Sequence, residues 1–113
     1  MRLPIPKSVR DKVKQRFGGR CGYCGVIPER LQVDHITAVN CKGDNSESNL
    51  MPACFSCNNF KINFDIEGFR RELQQQVHRA RKYSVNFRLA ERFGLIQETQ
   101  VGKVIFYFET EQA

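Results

Sequence analysis

Two Cys-x-x-Cys pairs constrain this chain more than any other feature of its sequence. Cys21 and Cys24 form the first pair, Cys54 and Cys57 form the second, and 29 residues separate them. A two-residue spacing lets both thiolates of a pair converge on one ion, and two pairs supply the four ligands of tetrahedral Zn²⁺. Because protein thiolates would fill all four positions, we expect a structural zinc that takes no part in chemistry.

The alternatives to a zinc site are two disulfides, four buried thiols or a redox centre. The N-terminal sequence Met-Arg-Leu-Pro-Ile-Pro-Lys lacks the apolar segment of a secretory signal, and disulfides are disfavoured in a reducing cytosol. A redox Cys-x-x-Cys motif is not expected twice in one small chain. The fifth cysteine, Cys41, has no partner in the pattern and is expected to be a free thiol in a loop.

Size and charge narrow the class of protein further. A chain of 113 residues predicts a single domain. No apolar run approaches the roughly 18 residues that cross a bilayer, so we expect a cytoplasmic protein that does not bind membranes.

The net charge is +6, and the excess of Lys and Arg lies in residues 1–20 and 61–92 around a mildly acidic centre. This distribution suits a polyanionic partner, although two solvated basic helix faces would give the same pattern.

Hydrophobic spacing predicts a small α+β fold. Helices are predicted at about residues 7–17, at 54–62, from 65 onwards and from 84 to 93, and short strands at 31–35 and 49–52. The two strands flank a long polar loop, residues 37–48, and loops of that length are usually functional or disordered. Alternating apolar residues predict a C-terminal β-hairpin over residues 95–109, with its turn near Val101-Gly102.

The residues around and between the cysteine pairs resemble the HNH nuclease family. The matching residues are Val33-Asp34-His35-Ile36, Asn49-Leu50 fourteen positions beyond His35, and Cys54-x-x-Cys57-Asn58 followed by Lys61. The resemblance covers about residues 21–61 and implies a ββα-metal (His-Me finger) core stabilised by a four-cysteine zinc site. It implies one nuclease domain over 1–113, made of a basic N-terminal helix (1–20), this core (21–61), and helices with the C-terminal hairpin (62–113).

The resemblance also implies a role for each matching residue. His35 corresponds to the general base that activates water, and Asn49 to the residue that holds the loop and helps to orient that base. Asp34 corresponds to a ligand of the catalytic divalent cation, and Asn58 stands where a second ligand, often histidine, is found. Lys61 corresponds to a basic residue close enough to contact a phosphate.

The chemistry of these residue types agrees with those roles. A neutral imidazole suits proton abstraction near neutral pH, and one carboxylate with one amide oxygen favours Mg²⁺ or Mn²⁺ over zinc. Two departures from the family stand out: the last ligand position is Asn58 rather than histidine, with Asn59 directly after it, and Thr37-Ala38-Val39 occupies a stretch where many relatives have a proline.

We therefore expect a metal-dependent endonuclease, with double-stranded DNA as the favoured substrate and RNA left open. A monomer would nick one strand, whereas a dimer could cut both, and the sequence does not fix the oligomeric state. Basic side chains on the flanking helices are candidates for backbone phosphate contacts: Arg10, Lys14, Arg16, Arg70, Arg71, Arg79 and Arg81. The alternatives are an inactive zinc-stabilised nucleic-acid-binding module, and a protein-interaction role in which Phe106 and Phe108 dock on a partner instead of completing the core.

Overall fold

The fold is an α+β arrangement in which a β-hairpin is followed directly by a helix. The computed structural model describes residues 4–99 and 102–113. Its elements, in chain order, are α1 (Lys7–Gln15), β1 (Gln32–His35), β2 (Leu50–Ala53), α2 (Phe55–Lys61), α3 (Ile66–Gln74), α4 (Gln76–Tyr83) and α5 (Val85–Arg92). The predicted α+β class and the predicted ββα order are therefore confirmed.

The chain divides into two compact units. The first comprises the residues up to 66 together with 105–113, and the second comprises residues 67–104. The hairpin, α1, α2 and all four paired cysteines belong to the first unit, and the helices α4 and α5 belong to the second. The assignment of the whole of 1–113 to one nuclease domain stays a prediction.

The hairpin positions the central residues of the first unit. β1 and β2 are antiparallel, with Gln32 opposite Ala53 and His35 opposite Leu50. All four residues of β2 are buried. Pro52 lacks an N–H, but a two-stranded sheet consists of edge strands, where proline is tolerated, and its carbonyl accepts a 2.7 Å hydrogen bond from the Gly22 N–H. The first cysteine pair is thereby attached to β2.

Helix α1 packs on this hairpin through an apolar side chain and an arginine. Val13 is fully buried, and full burial of a side chain of this size contributes about 1.5–3 kcal/mol. At the end of α1 the Arg16 guanidinium donates to the Leu50 carbonyl (2.7 Å) and to the Glu47 carbonyl (3.1 Å). Arg16 thus joins α1 to β2 and to the loop before it.

The C-terminal segment completes the core of the first unit instead of forming a hairpin. The N–H groups of Tyr107 and Phe108 donate to the Tyr23 and Gly22 carbonyls at 2.9 and 2.8 Å. Phe106 is only 2% exposed and lies edge-on to Tyr23, with 5.7 Å between ring centroids. These contacts support the core role expected for the phenylalanines.

The predicted C-terminal hairpin is wrong for the residues that the structure describes. Residues 95–99 and 102–113 contain no strand, and Tyr107–Glu109 forms a single 3₁₀ turn. The physical reason is that the backbone of this segment bonds to the carbonyls of Gly22 and Tyr23, which lie between the cysteines of the first pair, rather than to a second strand. The expected turn at Val101 lies outside the described residues.

Two short helices, α3 and α4, replace the long helix predicted from residue 65. The helix is interrupted at Gln75, whose N–H bonds to the Glu72 carbonyl three residues back (3.2 Å), as in a 3₁₀ turn. Ser84 begins α5 as predicted, because its hydroxyl accepts a hydrogen bond from the Phe87 N–H (3.1 Å). Among the described residues, every helix is too short or too polar to cross a membrane.

Candidate functional site

The four paired cysteines form one cluster. The Sγ atoms of Cys21, Cys24, Cys54 and Cys57 all lie within 4.8 Å of one another, and those of Cys24 and Cys54 are 3.8 Å apart. Zinc–sulfur bonds of about 2.3 Å in a tetrahedron require sulfur–sulfur distances of about 3.8 Å. The donor set and its spacing therefore fit a structural zinc, which would be held by these four thiolates.

Local backbone geometry brings each pair together. The first pair lies in a tight turn in which the Gly25 N–H bonds to the Cys21 carbonyl (2.9 Å), and Gly25 adopts a φ of 79° that favours glycine. In the second pair Cys54 precedes α2, and its sulfur accepts a hydrogen bond from the Cys57 N–H (3.4 Å). A turn and a helix N-terminus thus direct both pairs to one point.

The thiols already interact strongly without a metal. A hydrogen bond from Cys57 lowers the pKa of Cys21, and the same contact raises the pKa of Cys57. Burial raises the pKa of Cys24. The Cys21 thiolate is therefore stabilised by neighbouring thiols. A cation that binds this cluster would displace the protons of the remaining thiols.

A buried ion pair lies beside the cysteine cluster. Asp34 is 5% exposed and Lys61 is fully buried, and the Lys61 Nζ lies 3.0 Å from Asp34 Oδ2. Lys61 also donates to the His35 carbonyl (3.0 Å). The Tyr23 hydroxyl donates to the same Asp34 Oδ2 (2.6 Å). Burial, reinforced by the Asp34 charge, raises the pKa of Tyr23, so that the phenol keeps its proton and acts as the donor.

Asp34 and His35 open on one cleft. This cleft has a volume of about 530 Å³, and its lining is formed by Asp34, His35, Ala38, Val39, Asn40, Ile62 and Asn63. The His35 ring is half-buried, and its Nε2 lies 2.7 Å from Asn45 Oδ1. A carboxylate and an imidazole thus share one solvent-accessible cavity at the end of β1.

The long polar loop is an ordered structure held by Asn49. The Asn49 side chain accepts a hydrogen bond from the Thr37 N–H (2.8 Å) and donates to the Thr37 carbonyl (3.0 Å) and the Asp44 carbonyl (2.8 Å). Gly43 packs so closely on the loop that an added Cβ would overlap the Thr37 carbonyl oxygen. The residues after His35 are consequently folded back against β2.

Asn58 lies apart from the cleft. Its Nδ2 donates to Gln32 Oε1 (2.7 Å), which leaves its amide oxygen as the atom that could bind a cation. Gln32 is two residues before Asp34 on β1, and Asn58 does not line the cleft. The structure therefore brings Asp34 and His35 together and places Asn58, on α2, against Gln32 outside the cleft.

The basic residues predicted to bind phosphate fall into two groups. Arg10 and Arg71 are exposed, and Lys14 is half-buried. In contrast, Lys61 is enclosed with Asp34, and the Arg16 guanidinium is bound to backbone carbonyls. The placement of these two side chains does not support the phosphate contacts predicted for them.

The arginines of the second unit are largely paired. Arg70 is 4% exposed and donates to Glu67 and to the Val104 carbonyl (2.6 Å). Its burial does not support a phosphate contact. Arg79 pairs with Glu72, and Arg81 bridges Glu91 and Glu98.

Sequence reasoning missed Tyr23 and Asn45. Tyr23 lies between the two cysteines of the first pair, and Asn45 lies in a loop rich in Asn, Asp and Ser. Residue type and spacing gave no signal for either contact, because each joins positions ten or eleven residues apart in the chain.

Comparison with known proteins identifies the region around the cleft. The sequence pattern of the HNH endonuclease family matches residues 19–64, which include both cysteine pairs, Asp34, His35 and α2. The chain is 39% identical over 67 residues to a protein of Bacillus subtilis (strain 168) named "SPbeta prophage-derived putative HNH endonuclease YoqL". The matched part is 50% of this chain and 29% of that relative, so the chain spans less than a third of its length. No solved structure gives a significant match. Residues 19–64 of this chain therefore carry the sequence pattern of the HNH endonuclease family.

Proposed function

We propose that the protein is a metal-dependent endonuclease that hydrolyses phosphodiester bonds in DNA. The observation that carries this proposal is the cleft that Asp34 and His35, adjacent at the end of β1, line together within the region that matches the family. A carboxylate for a hard cation and an imidazole for a water molecule are the two groups that this hydrolysis needs.

His35 would act as the general base. Its ring lines the cleft and is held at Nε2 by Asn45, so the other ring nitrogen can accept a proton from water. Asn49 would keep the loop closed over β2 through its bonds to Thr37 and Asp44. The reacting phosphate would enter the cleft from solvent beside His35.

Asp34 would hold the catalytic cation, Mg²⁺ or Mn²⁺, and Asn58, which bonds to Gln32 outside the cleft, would serve as the second ligand through its amide oxygen. Tyr23 and Lys61 both bond to Asp34 Oδ2, which orients the carboxylate and directs Oδ1 as the atom for a cation. When bound, the divalent cation would neutralise charge on the phosphoryl oxygens and on the leaving oxygen. The structural zinc on the four cysteines would hold α2 and the hairpin together and would not contact the substrate.

The exposed Arg10 and Arg71 and the half-buried Lys14 would contact flanking phosphates and supply affinity without sequence specificity. One ββα site cuts one strand, so a monomer would nick and a homodimer would linearise a plasmid. We propose that the enzyme works in the cytoplasm of a bacterial or phage-infected cell.

The test is cleavage of supercoiled plasmid at low salt with Mg²⁺ or Mn²⁺. Wild type should convert it to nicked circles, and His35→Ala should lose about 10²- to 10⁴-fold in rate. His78→Ala is the matched control, because His78 is an exposed histidine of the second unit. All three proteins must retain one zinc per chain. An intact plasmid with wild type, or equal cleavage by wild type and His35→Ala, would contradict the proposal.

A second function, an inactive zinc-stabilised nucleic-acid-binding module, is favoured by the Lys61 ammonium. This cation already neutralises Asp34 inside the protein, so the carboxylate would need no metal. Calorimetry separates the two: an enzyme should bind Mg²⁺ or Mn²⁺, and Asp34→Ala should abolish that binding, whereas Asp11→Ala on exposed α1 should not. A wild type that binds neither cation but binds DNA would be the module.

A further inference from the structure

The contact between His35 and Asn45 determines which ring nitrogen carries the proton. The amide oxygen of Asn45 can only accept a hydrogen bond. At 2.7 Å from Asn45 Oδ1, His35 Nε2 must therefore carry a hydrogen. In the neutral imidazole the lone pair then lies on Nδ1. The contact thus selects one tautomer of a ring that lines the cleft.

The residues on either side of Asn45 in the chain are fixed by hydrogen bonds. The carbonyl of the preceding residue, Asp44, accepts a 2.8 Å hydrogen bond from the Asn49 side chain. The Asp44 carboxylate accepts hydrogen bonds from the N–H (3.1 Å) and hydroxyl (2.6 Å) of the following residue, Ser46. The peptide that carries Asn45 is therefore fixed relative to β2, and its amide oxygen is presented to His35 in a defined place.

We propose that Asn45 is a positioning residue for His35: it holds the Nε2–H tautomer and so presents Nδ1 as the base that takes the proton from water. This role rests on the proposed nuclease function. It also assigns a distinct part to Asn49, which acts on the base through the peptide that carries Asn45. Removal of the Asn45 amide would leave the His35 ring in place but free to rotate and to exchange tautomers.

The experiment uses zinc-loaded, ¹⁵N-labelled full chain and two variants, Asn45→Ala and Asn45→Asp. Long-range ¹H–¹⁵N spectra report the protonation of each ring nitrogen and the solvent exchange of the Nε2 proton. The chain has two histidines, so exposed His78 serves as the reference in the same spectrum. Wild type should show a protonated, exchange-protected Nε2 on His35. Asn45→Ala should lose the protection, and Asn45→Asp should restore it, because a carboxylate oxygen accepts the same bond.

Plasmid cleavage supplies the second readout. Asn45→Ala should lower kcat by about 10- to 100-fold, less than the loss of the base itself, while KM changes little, since the phosphate contacts remain. Asn45→Asp should recover most of kcat. Ser48→Ala is the matched control in the same loop, because the Ser48 hydroxyl bonds to the Ser46 hydroxyl (3.3 Å) and not to the His35 ring, and its kcat should stay within about twofold of wild type.

The outcomes separate this role from the proposed function. If wild type does not cleave, the nuclease proposal fails and this role fails with it. If wild type cleaves but Asn45→Ala keeps its kcat or its Nε2 protection, the positioning role alone is overturned. Equal losses in the Ala and Asp variants, with zinc retained, would also overturn it, because the acceptor oxygen would then be irrelevant.

Discussion

Lys61 and Asp34 form the ion pair whose removal should have the largest effect on stability. Both groups are almost completely enclosed, so Lys61→Met would leave a buried carboxylate without its cation. Breaking such a pair costs about 3–5 kcal/mol. Lys61 also donates to the His35 carbonyl, and loss of that hydrogen bond adds about 1 kcal/mol. This is a large fraction of the roughly 5–15 kcal/mol by which domains are stable.

The double variant Asp34→Asn/Lys61→Met provides the decisive comparison. Replacing both members of a buried pair by neutral groups is often neutral in stability, and asparagine can still accept the Tyr23 hydrogen bond. The double variant should therefore be more stable than Lys61→Met alone, with a coupling energy of about 2–3 kcal/mol between the two sites. If Lys61→Met proves too unstable to purify, recovery of a folded double variant gives the same answer.

The assay is urea unfolding followed by circular dichroism, at neutral pH with a slight excess of zinc. Lys7→Met is the matched control, because Lys7 pairs with Asp11 on the exposed face of α1 (2.6 Å) and such pairs contribute about 0.2–1 kcal/mol. The reasoning is refuted if Lys61→Met lowers the free energy of unfolding by no more than this control does. It is also refuted if the losses of stability measured for Asp34→Asn and Lys61→Met separately simply add in the double variant.

Four further predictions follow from the cysteine cluster, the loop and the C-terminal segment. Cys57→Ala should lose zinc and unfold or loosen the first unit, because metal binding contributes folding free energy; elemental analysis of wild type should give about one zinc per chain, and retention of zinc by the variant would contradict the four-cysteine assignment. Because the pKa of Cys21 is lowered, its side chain should already be a thiolate at neutral pH, so zinc binding should release fewer than four protons. Zinc affinity should fall as the pH falls and the thiols become protonated. Calorimetry in two buffers of different ionisation enthalpy counts the released protons, and a count of four would contradict a preformed thiolate. Gly43→Ala should displace the loop, since its Cβ would overlap the Thr37 carbonyl, and nicking should fall while zinc is retained; wild-type activity would mean that the loop adjusts freely. Phe106→Ala should cost about 3–5 kcal/mol, measured by urea unfolding, whereas a cost below about 1 kcal/mol would remove this ring from the core.

The sequence predicted the hairpin, α2 and the cysteine cluster because these depend on short-range patterns. The apolar spacing of β1 and the two Cys-x-x-Cys pairs each act within a few residues, and the family match covers the same stretch. The adjacency of Asp34 and His35 in one cleft follows from their positions at the strand end. The two cysteine pairs are 29 residues apart, but the four ligands that one zinc requires predict that they meet.

The remaining contacts depend on distant residues, which spacing does not reveal. A lysine is ordinarily exposed, and only the packing of α2 on β1 shows that Lys61 is enclosed with a carboxylate 27 residues earlier in the chain. The alternation of Val104, Phe106 and Phe108 also has two physical solutions. It suits a strand, but here the two phenylalanine rings stack on each other and pack around Tyr23. The backbone of the segment bonds to the carbonyls of Gly22 and Tyr23.

Tyr23 has a consequence for how chelation experiments on this protein are interpreted. Its backbone lies between two of the clustered cysteines, its ring contacts the C-terminal phenylalanines, and its hydroxyl holds Asp34. A chelator that removes the proposed zinc would release this residue and with it the orientation of the carboxylate, although the zinc is proposed not to contact the substrate. Inhibition by a strong chelator would therefore not distinguish loss of the structural zinc from loss of the catalytic cation. Only restoration by Mg²⁺ or Mn²⁺ of a protein that has kept its zinc would identify a catalytic cation.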